Sequence, residues 1–256
     1  MNYIQVKFPG ERAYGLPIGD IHFGDRAFAN EGRTKLQGNL DWLKEHQHEA
    51  FGLLMGDVFN IAGRDTKTSP FETDPGEIIA ATKFFEPYAH LFIGAIRGNH
   101  ERRIVDRFGF DPLELFCERL KIPYLGISAL IRVQVGKRPD SDWYWQSYYM
   151  GVHHTTGGGK TLGSAINAIS QIDKLITGCD VYAGGHNHQL VTGVRQVYTP
   201  TPTGPKLQKV HYVSCGSYLD YADSYAEEAL YAPSKLGSPR IRFSGLRDKH
   251  DVHVSL

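Results

Sequence analysis

FGLLMGDVFN, from Phe51 to Asn60, is the stretch on which the fold turns. Phe51–Met55 is a short apolar run that reads as a strand, and Gly56 hands it over to the carboxylate of Asp57. Working outward, Arg33–Glu49 carries Leu36, Leu40 and Leu43 on one stripe, which predicts a helix. Arg12–Ile18 reads as a strand ending on Asp20, and Tyr3–Phe8 as another. On the other side, Asp74–Tyr88 opens with Asp-Pro and carries Ile78, Ile79, Ala81, Phe84 and Phe85, the pattern of a capped helix. Leu91–Ile96 is the next strand, delivering Asn99 and His100, and Asp111–Leu120 again opens Asp-Pro as a helix.

The second half is richer in β-structure. Ser128–Val135 and Trp143–Val152 alternate like paired antiparallel strands. Thr161–Ile176 reads as a helix, and Val181–Ala183 as a short strand. Leu190–Tyr198 and Lys209–Cys215 read as strands joined by a Thr/Pro loop. The fold class is therefore α/β, with its loops at strand C-terminal ends, where such sheets keep their sites. Asn60–Asp74 and Thr199–Lys206 read as surface loops beside that site, and residues 1–256 as one domain without repeat or linker.

Four more segments repeat the arrangement of a strand followed by polar residues: GDIHFG at Gly19–Gly24, RGNHE at Arg97–Glu101, VHHTT at Val152–Thr156 and GGHNHQ at Gly184–Gln189. With Asp57 they offer two Asp, one Asn and several His, and no thiolate. Carboxylate, amide oxygen and imidazole suit hard or borderline divalent ions such as Mn, Fe or Zn. Two such ions held ~3.5–4 Å apart are the usual apparatus for hydrolysing phosphate esters. Glycines at 19, 56, 98, 184 and 185 are expected to let the backbone turn sharply where these side chains converge.

This set resembles the calcineurin-like metallophosphoesterase superfamily, whose pattern runs D-x-H, G-D, G-N-H-D/E, a lone H, then G-H-x-H. Here those places are filled by Asp20 and His22, Asp57, then Asn99, His100 and Glu101, then His153 or His154, and His186 with His188. The motifs span Asp20 to His188, and the tail from about Ser214 looks like the small versions found in bacteria and their viruses. The resemblance implies two packed mixed β-sheets flanked by helices, a four-layer α/β/β/α sandwich. It implies a first metal held by Asp20, His22, Asp57 and His188, and a second held by Asp57, Asn99, His154 and His186. Asp57 then bridges the ions, and His100 stands outside them as a proton donor. Of the adjacent pair, the spacing back from Gly157–Gly159 is similar to that of related small phosphoesterases and favours His154. Neighbours in a strand point to opposite faces, so only one of the two is a ligand. The protein Ser/Thr phosphatases of this superfamily have G-D-x-x-D-R-G, and this chain has Asn60 and Ile61 at the last Asp and Arg. A neutral amide orients an imidazole without favouring its charged form, as a carboxylate would.

The expected chemistry is hydrolysis of a phosphate monoester or diester by metal-activated water. Two divalent ions are its cofactors, Mn first and Fe or Zn after it. The expected partner is a phosphate-ester substrate, with nucleotide and nucleic acid among the candidates. A narrower alternative is a metal-dependent nuclease acting on nucleic-acid ends, for which Arg97, Arg102, Arg103 and Arg107 are the basic cluster near a motif. An alternative of another class is a non-catalytic metal-binding module. His46, His48, His90, His211, His250 and His253 lack ligand-like neighbours and read as solvated or packed. GGGKT at Gly157–Thr161 imitates a P-loop, but His154 stands where the first glycine of that motif belongs.

Lys plus Arg and Asp plus Glu balance at 28 each, which argues against a dominant basic footprint. The N-terminus has no basic-then-apolar signal layout, and no stretch reaches the ~18 apolar residues of a membrane span. A cytoplasmic chain is expected. Cys117, Cys179 and Cys215 are far apart and odd in number, which fits buried free thiols.

Overall fold

The computed structural model describes residues 1–28, 30–61, 74–136, 144–157, 159, 161–222, 227, 230 and 232–256. The elements follow in the order β1 (Asn2–Pro9), β2 (Arg12–Ile18), α1 (Glu31–Glu45), β3 (Ala50–Leu54), α2 (Asp74–Phe85), β4 (Phe92–Ala95), α3 (Asn99–Phe108) and α4 (Pro112–Leu120). Then come β5 (Ser128–Gly136), β6 (Gln146–His153), α5 (Leu162–Ser170), α6 (Ile172–Leu175), β7 (Val181–Gly184), β8 (Thr192–Thr201), β9 (Gly204–Ser214), β10 (Arg240–Ser244) and β11 (Val252–Ser255).

Side-chain alternation along the strands builds the layers. On β3, Leu54 turns outward to Leu36, Leu40 and Leu43 of α1. Phe51, Leu53 and Met55 turn inward to Val133, Tyr148, Met150 and Phe243. On β7 and β9, Val181, Ala183 and Val213 join that inner core, while Tyr182, Val210 and Tyr212 pack outward on Ile169 and Ile172. The result is α/β with two packed sheets flanked by helices. One sheet is ordered β1-β5-β6-β7-β9-β8, the other β11-β10-β2-β3-β4. Both are mixed: β2, β3 and β4 are parallel, as are β6, β7 and β9, while β5–β6, β8–β9 and β10–β2 are antiparallel. The parallel strands of both sheets end at the same rim, and the five polar segments sit there.

Several expected boundaries move. The helix expected over Arg33–Glu49 runs Glu31–Glu45, because the chain turns back through His46–Glu49 to begin β3. Its first N–H groups are capped from afar, Gly32 N and Glu31 N donating to Asp220 at 2.8 and 3.3 Å. Asp74–Tyr88 breaks at Phe85, where Glu86-Pro87 starts a tighter turn ending at Leu91. Thr161–Ile176 is two helices, with Thr161 capping the first through Ser164 N and the break at Gln171. β6 begins at Gln146, and Trp143 lies outside the described residues. Thr199–Lys206 is no loop: β8 and β9 pair register by register out to Thr201 and Gly204. That hairpin tip is ten positions from Ser214, roughly 33 Å along the strand, so it lies at the end remote from the polar rim. The expected loop Asn60–Asp74 falls mostly outside the described residues. All three cysteines are free and buried.

Candidate metal centre

Each polar segment begins where a parallel strand stops. β2 delivers Asp20 and His22, β3 delivers Asp57, β6 delivers His154, and β7 delivers His186 and His188. β4 delivers Asn99 and His100 into the first turn of α3, a helix unforeseen in the sequence reading. The backbone there is unusual. Asp20, His22, Asp57, His186 and His188 all lie at positive φ, between 49° and 77°. That region costs a side-chain-bearing residue of order 1–3 kcal/mol, and such strain clusters at functional sites when the surroundings enforce it. Gly56, at φ 88°, fits the expected turning role, whereas Gly98 at φ −96° is needed for space. A Cβ on Gly98 would collide with the carboxylate and backbone of Asp57.

The enforcing contacts are explicit. Ile21 N and His22 N both donate to the Asp57 carbonyl, at 2.9 and 3.0 Å. His186 N donates to the Asp20 carboxylate at 2.8 and 3.0 Å, joining the two sheets. Ser217 Oγ and Tyr218 N hold the Asp20 carbonyl from the tail. The buried carboxylate of Glu101 accepts from four backbone N–H groups: Asp57 at 3.0 Å, Val58 at 2.7 Å, Phe59 at 3.3 Å and Gly98 at 3.0 Å. Burial and then the charge of Asp57 push the Glu101 pKa up to about 7, against the pull of those N–H groups.

Three groups of side chains bring ligand atoms close enough to share an ion: Asp20, His22 and His188; Asp57, His154 and His186; and His22, Asp57 and His100. In the first, His188 Nε2 is 3.1 Å from His22 Nε2 and 3.5 Å from Asp20 Oδ1. In the second, Asn99 Oδ1 lies 3.0 Å from His154 Nε2 and 2.7 Å from His186 Nδ1. Asp57 Oδ2 stands between the groups, 3.3 Å from His154 Nε2 and 3.9 Å from His22 Nε2. All seven expected ligands, Asp20, His22, Asp57, Asn99, His154, His186 and His188, are thus brought together. His153 is not: its Nδ1 accepts from Thr155 N at 2.7 Å, whereas His154 Nδ1 bonds the Met55 carbonyl at 2.7 Å and turns Nε2 inward.

The donor set fits divalent cations. Carboxylate, amide and imidazole lone pairs converge, and at these spacings they repel one another unless positive charge stands between them. In the ion-free chain a proton on His154 meets part of that charge. Burial opposes the imidazolium of His154, but the charge of Asp57 and their hydrogen bond push its pKa up to about 10. Burial pushes Asp57 up, yet His154, His100 and His22 together hold it well below the usual carboxylate range. Burial, and then the charge of His100, holds His22 well below ordinary histidine. Burial also lowers His186.

His100 lies at the edge of this cluster, its Nε2 4.0 Å from Asp57 Oδ2. Its Nδ1 bonds the backbone carbonyl of Asn60, not the side chain that the sequence pattern suggested. The buried Asn60 Nδ2 has no hydrogen-bond partner among the described residues. Burial lowers the His100 pKa, Asp57 and the Asn60 carbonyl opposing it. Asp25, missed in the sequence, is half-buried here; it accepts from Ala27 N at 2.9 Å, and its charge is felt by His100 and His188. Glu101 was named only as part of a motif, although a Glu three places after a helix-opening residue is itself a capping signal.

The remaining histidines stay apart. His46 stacks on Trp42, and His250 stacks on Tyr148 with Nε2 2.9 Å from Asp180. His48, His90 and His253 are exposed, and His211 is buried with both ring nitrogens unpartnered among the described residues. Lys160 and Gly158 lie outside the described residues. No helix among the described residues is long and apolar enough to cross a membrane.

No protein-family model matches the chain, and no curated protein matches it. Among solved structures it is similar to GAP50, the anchor in the inner membrane complex of Plasmodium, at 10% identity and a TM-score of 0.43. That alignment covers 92% of this chain and 82% of the other. A likeness so distant bears on neither fold nor function.

Proposed function

We propose that the chain is a dimetal phosphoesterase of the calcineurin-like metallophosphoesterase type, hydrolysing phosphate monoesters or diesters. The observation that carries the reading is Asp57, whose carboxylate stands between two groups of side chains, each suited to one divalent ion. Asp20, His22, Asp57 and His188 would hold one ion, and Asp57, Asn99, His154 and His186 the other, Mn being the first choice. When bound, the pair supplies Lewis-acid neutralisation of phosphoryl oxygens and a water activated near neutral pH. The chain's own residues fix the rest. Glu101 pins the Asp57 turn, Met55 sets the His154 tautomer, and the Asn60 carbonyl aims His100. His100 Nε2, the ring nitrogen that the Asn60 carbonyl leaves unused, would be the proton donor to the leaving oxygen, with the charges of Asp57 and of a bound phosphate favouring the imidazolium that burial disfavours.

Two measurements test this. Chelated protein should hydrolyse neither nitrophenyl phosphate nor bis(nitrophenyl) phosphate, and added Mn should restore turnover of at least one. No turnover of either with Mn overturns the reading. His100→Ala should keep both ions and lose roughly 100- to 10,000-fold in kcat on an alkyl ester, whose poor leaving group needs a proton. The loss should be smaller on the nitrophenyl ester. An equal loss on both would reassign His100 to hydrogen-bonding a phosphoryl oxygen.

A further inference from the structure

Helix α3 carries charge that the metal centre leaves unused. Arg97, just before it, pairs with Asp111 at 3.0 Å, and Arg102 pairs with Asp106 at 2.7 Å. Arg103 and Arg107 are exposed and make no hydrogen bond or ion pair with a described residue. At 3.6 residues per turn, His100, Arg103 and Arg107 fall on one stripe, while Glu101 and Ile104 turn into the protein. The stripe starts at His100, at the edge of the centre, and runs roughly 10 Å along the helix axis. Arg103 is near enough to His100 that its charge disfavours the imidazolium. Within α3, the exposed carboxylate of Asp106 is already engaged by Arg102.

We propose that this stripe binds the leaving-group side of an oligonucleotide strand, Arg103 and Arg107 each receiving a phosphate beyond the scissile one. The inference rests on the phosphoesterase reading for which end of the substrate lies there, since His100 faces the leaving oxygen in that reading. A neutral leaving group gives the two guanidinium groups nothing to bind. A strand offers phosphates at intervals along the stripe, and guanidinium forks match phosphate oxygens in pairs. A nucleoside triphosphate shares the chemistry but packs its phosphates side by side at one end.

The test is binding of fluorescein-labelled phosphorothioate decathymidylate, whose linkages keep their charge but resist hydrolysis, to the Mn-loaded protein, followed by anisotropy at about 50 and about 200 mM salt. The double variant Arg103→Ala/Arg107→Ala should bind at least about tenfold more weakly, with a salt slope smaller by roughly 1.4, or about 0.7 for each lost phosphate contact. Arg102→Ala, about 100° round the helix from Arg103 and already paired with Asp106, should bind like the wild type. Unchanged affinity and slope in the double variant overturn the proposal, as does an equal loss in Arg102→Ala. Displacement of the strand by a lower concentration of a nucleoside triphosphate overturns the strand assignment. Turnover of nitrophenyl phosphate by the wild type, measured in parallel, reports on the phosphoesterase reading alone.

Discussion

Asp57 concentrates the physics of the site in one residue. It is buried, held at φ 49°, and shares its carboxylate between histidines of both groups. Asp57→Asn should therefore lose both ions, whereas His188→Ala, which touches one group, should keep one. Elemental analysis of the two purified variants checks this, and two ions retained by the Asp57 variant would refute the bridging role. Glu101 touches no proposed ion, yet it satisfies four backbone N–H groups of the turns that carry Asp57 and Asn99. Removing it leaves those donors buried and unpaired, at a cost of ~1–3 kcal/mol for each that finds no substitute. Glu101→Ala should lose at least about 3 kcal/mol in urea unfolding. It should also weaken Mn binding, although it removes no ligand. A variant with wild-type stability would show that the turn holds itself.

At the scale of elements, the N-terminus of α1 shows how distant segments shape the rim. Asn30, before the helix, makes no side-chain cap, and Asp220 supplies the acceptor across 188 positions of sequence. Asp220→Ala should cost about 1 kcal/mol, the usual worth of a lost cap, and leave Mn affinity unchanged. Gly32→Ala differs in kind. A Cβ there would overlap the Tyr218 carbonyl, and Tyr218 N and Ser217 Oγ hold the Asp20 carbonyl. Gly32→Ala should lower both thermal stability and Mn affinity. Loss of stability with Mn affinity intact would show that the tail does not position Asp20. Neither the capping by Asp220 nor the close approach to Tyr218 is written in local sequence, so the leucine stripe alone points to a start at Arg33, two residues after the helix begins.

At the scale of the whole molecule, the two sheets bury polar groups as well as apolar ones. His211 shares a face of β9 with Val213 and lies buried with both ring nitrogens unpartnered among the described residues. Burial, the main cause, lowers its pKa below the ordinary 6.5. The unfolded chain then binds a proton more readily than the folded one, so this contribution to stability is complete above about 6.5 and is lost as pH falls through it. In chelated protein, stability should drop from pH 7 to pH 5, with His211 accounting for at most about 1.4 kcal/mol per pH unit. His211→Phe should flatten that drop, read from urea unfolding at each pH. An identical pH dependence in the variant would place the acid sensitivity elsewhere, with His22 the next candidate.

The sequence by itself determined the α/β plan and most members of the centre. Short apolar runs alternating with striped helices set that plan, and the residues after each run, through the resemblance they carry, named Asp20, His22, Asp57, Asn99, His186 and His188 and narrowed the seventh place to His153 or His154. Those signals are local: a strand's period and the residue at its end stand in consecutive positions. The hairpin β8–β9, the helix α3 and the choice of His154 over His153 needed the tertiary structure. Pairing across a turn, a helix opened by the polar segment Arg97–Glu101 and the face a side chain takes depend on partners far away in the chain. So do the positive φ angles of Asp20, His22, Asp57, His186 and His188, which no propensity predicts. They persist because Glu101, Tyr218 and the opposite sheet hold them, and only the packed molecule brings those groups into reach.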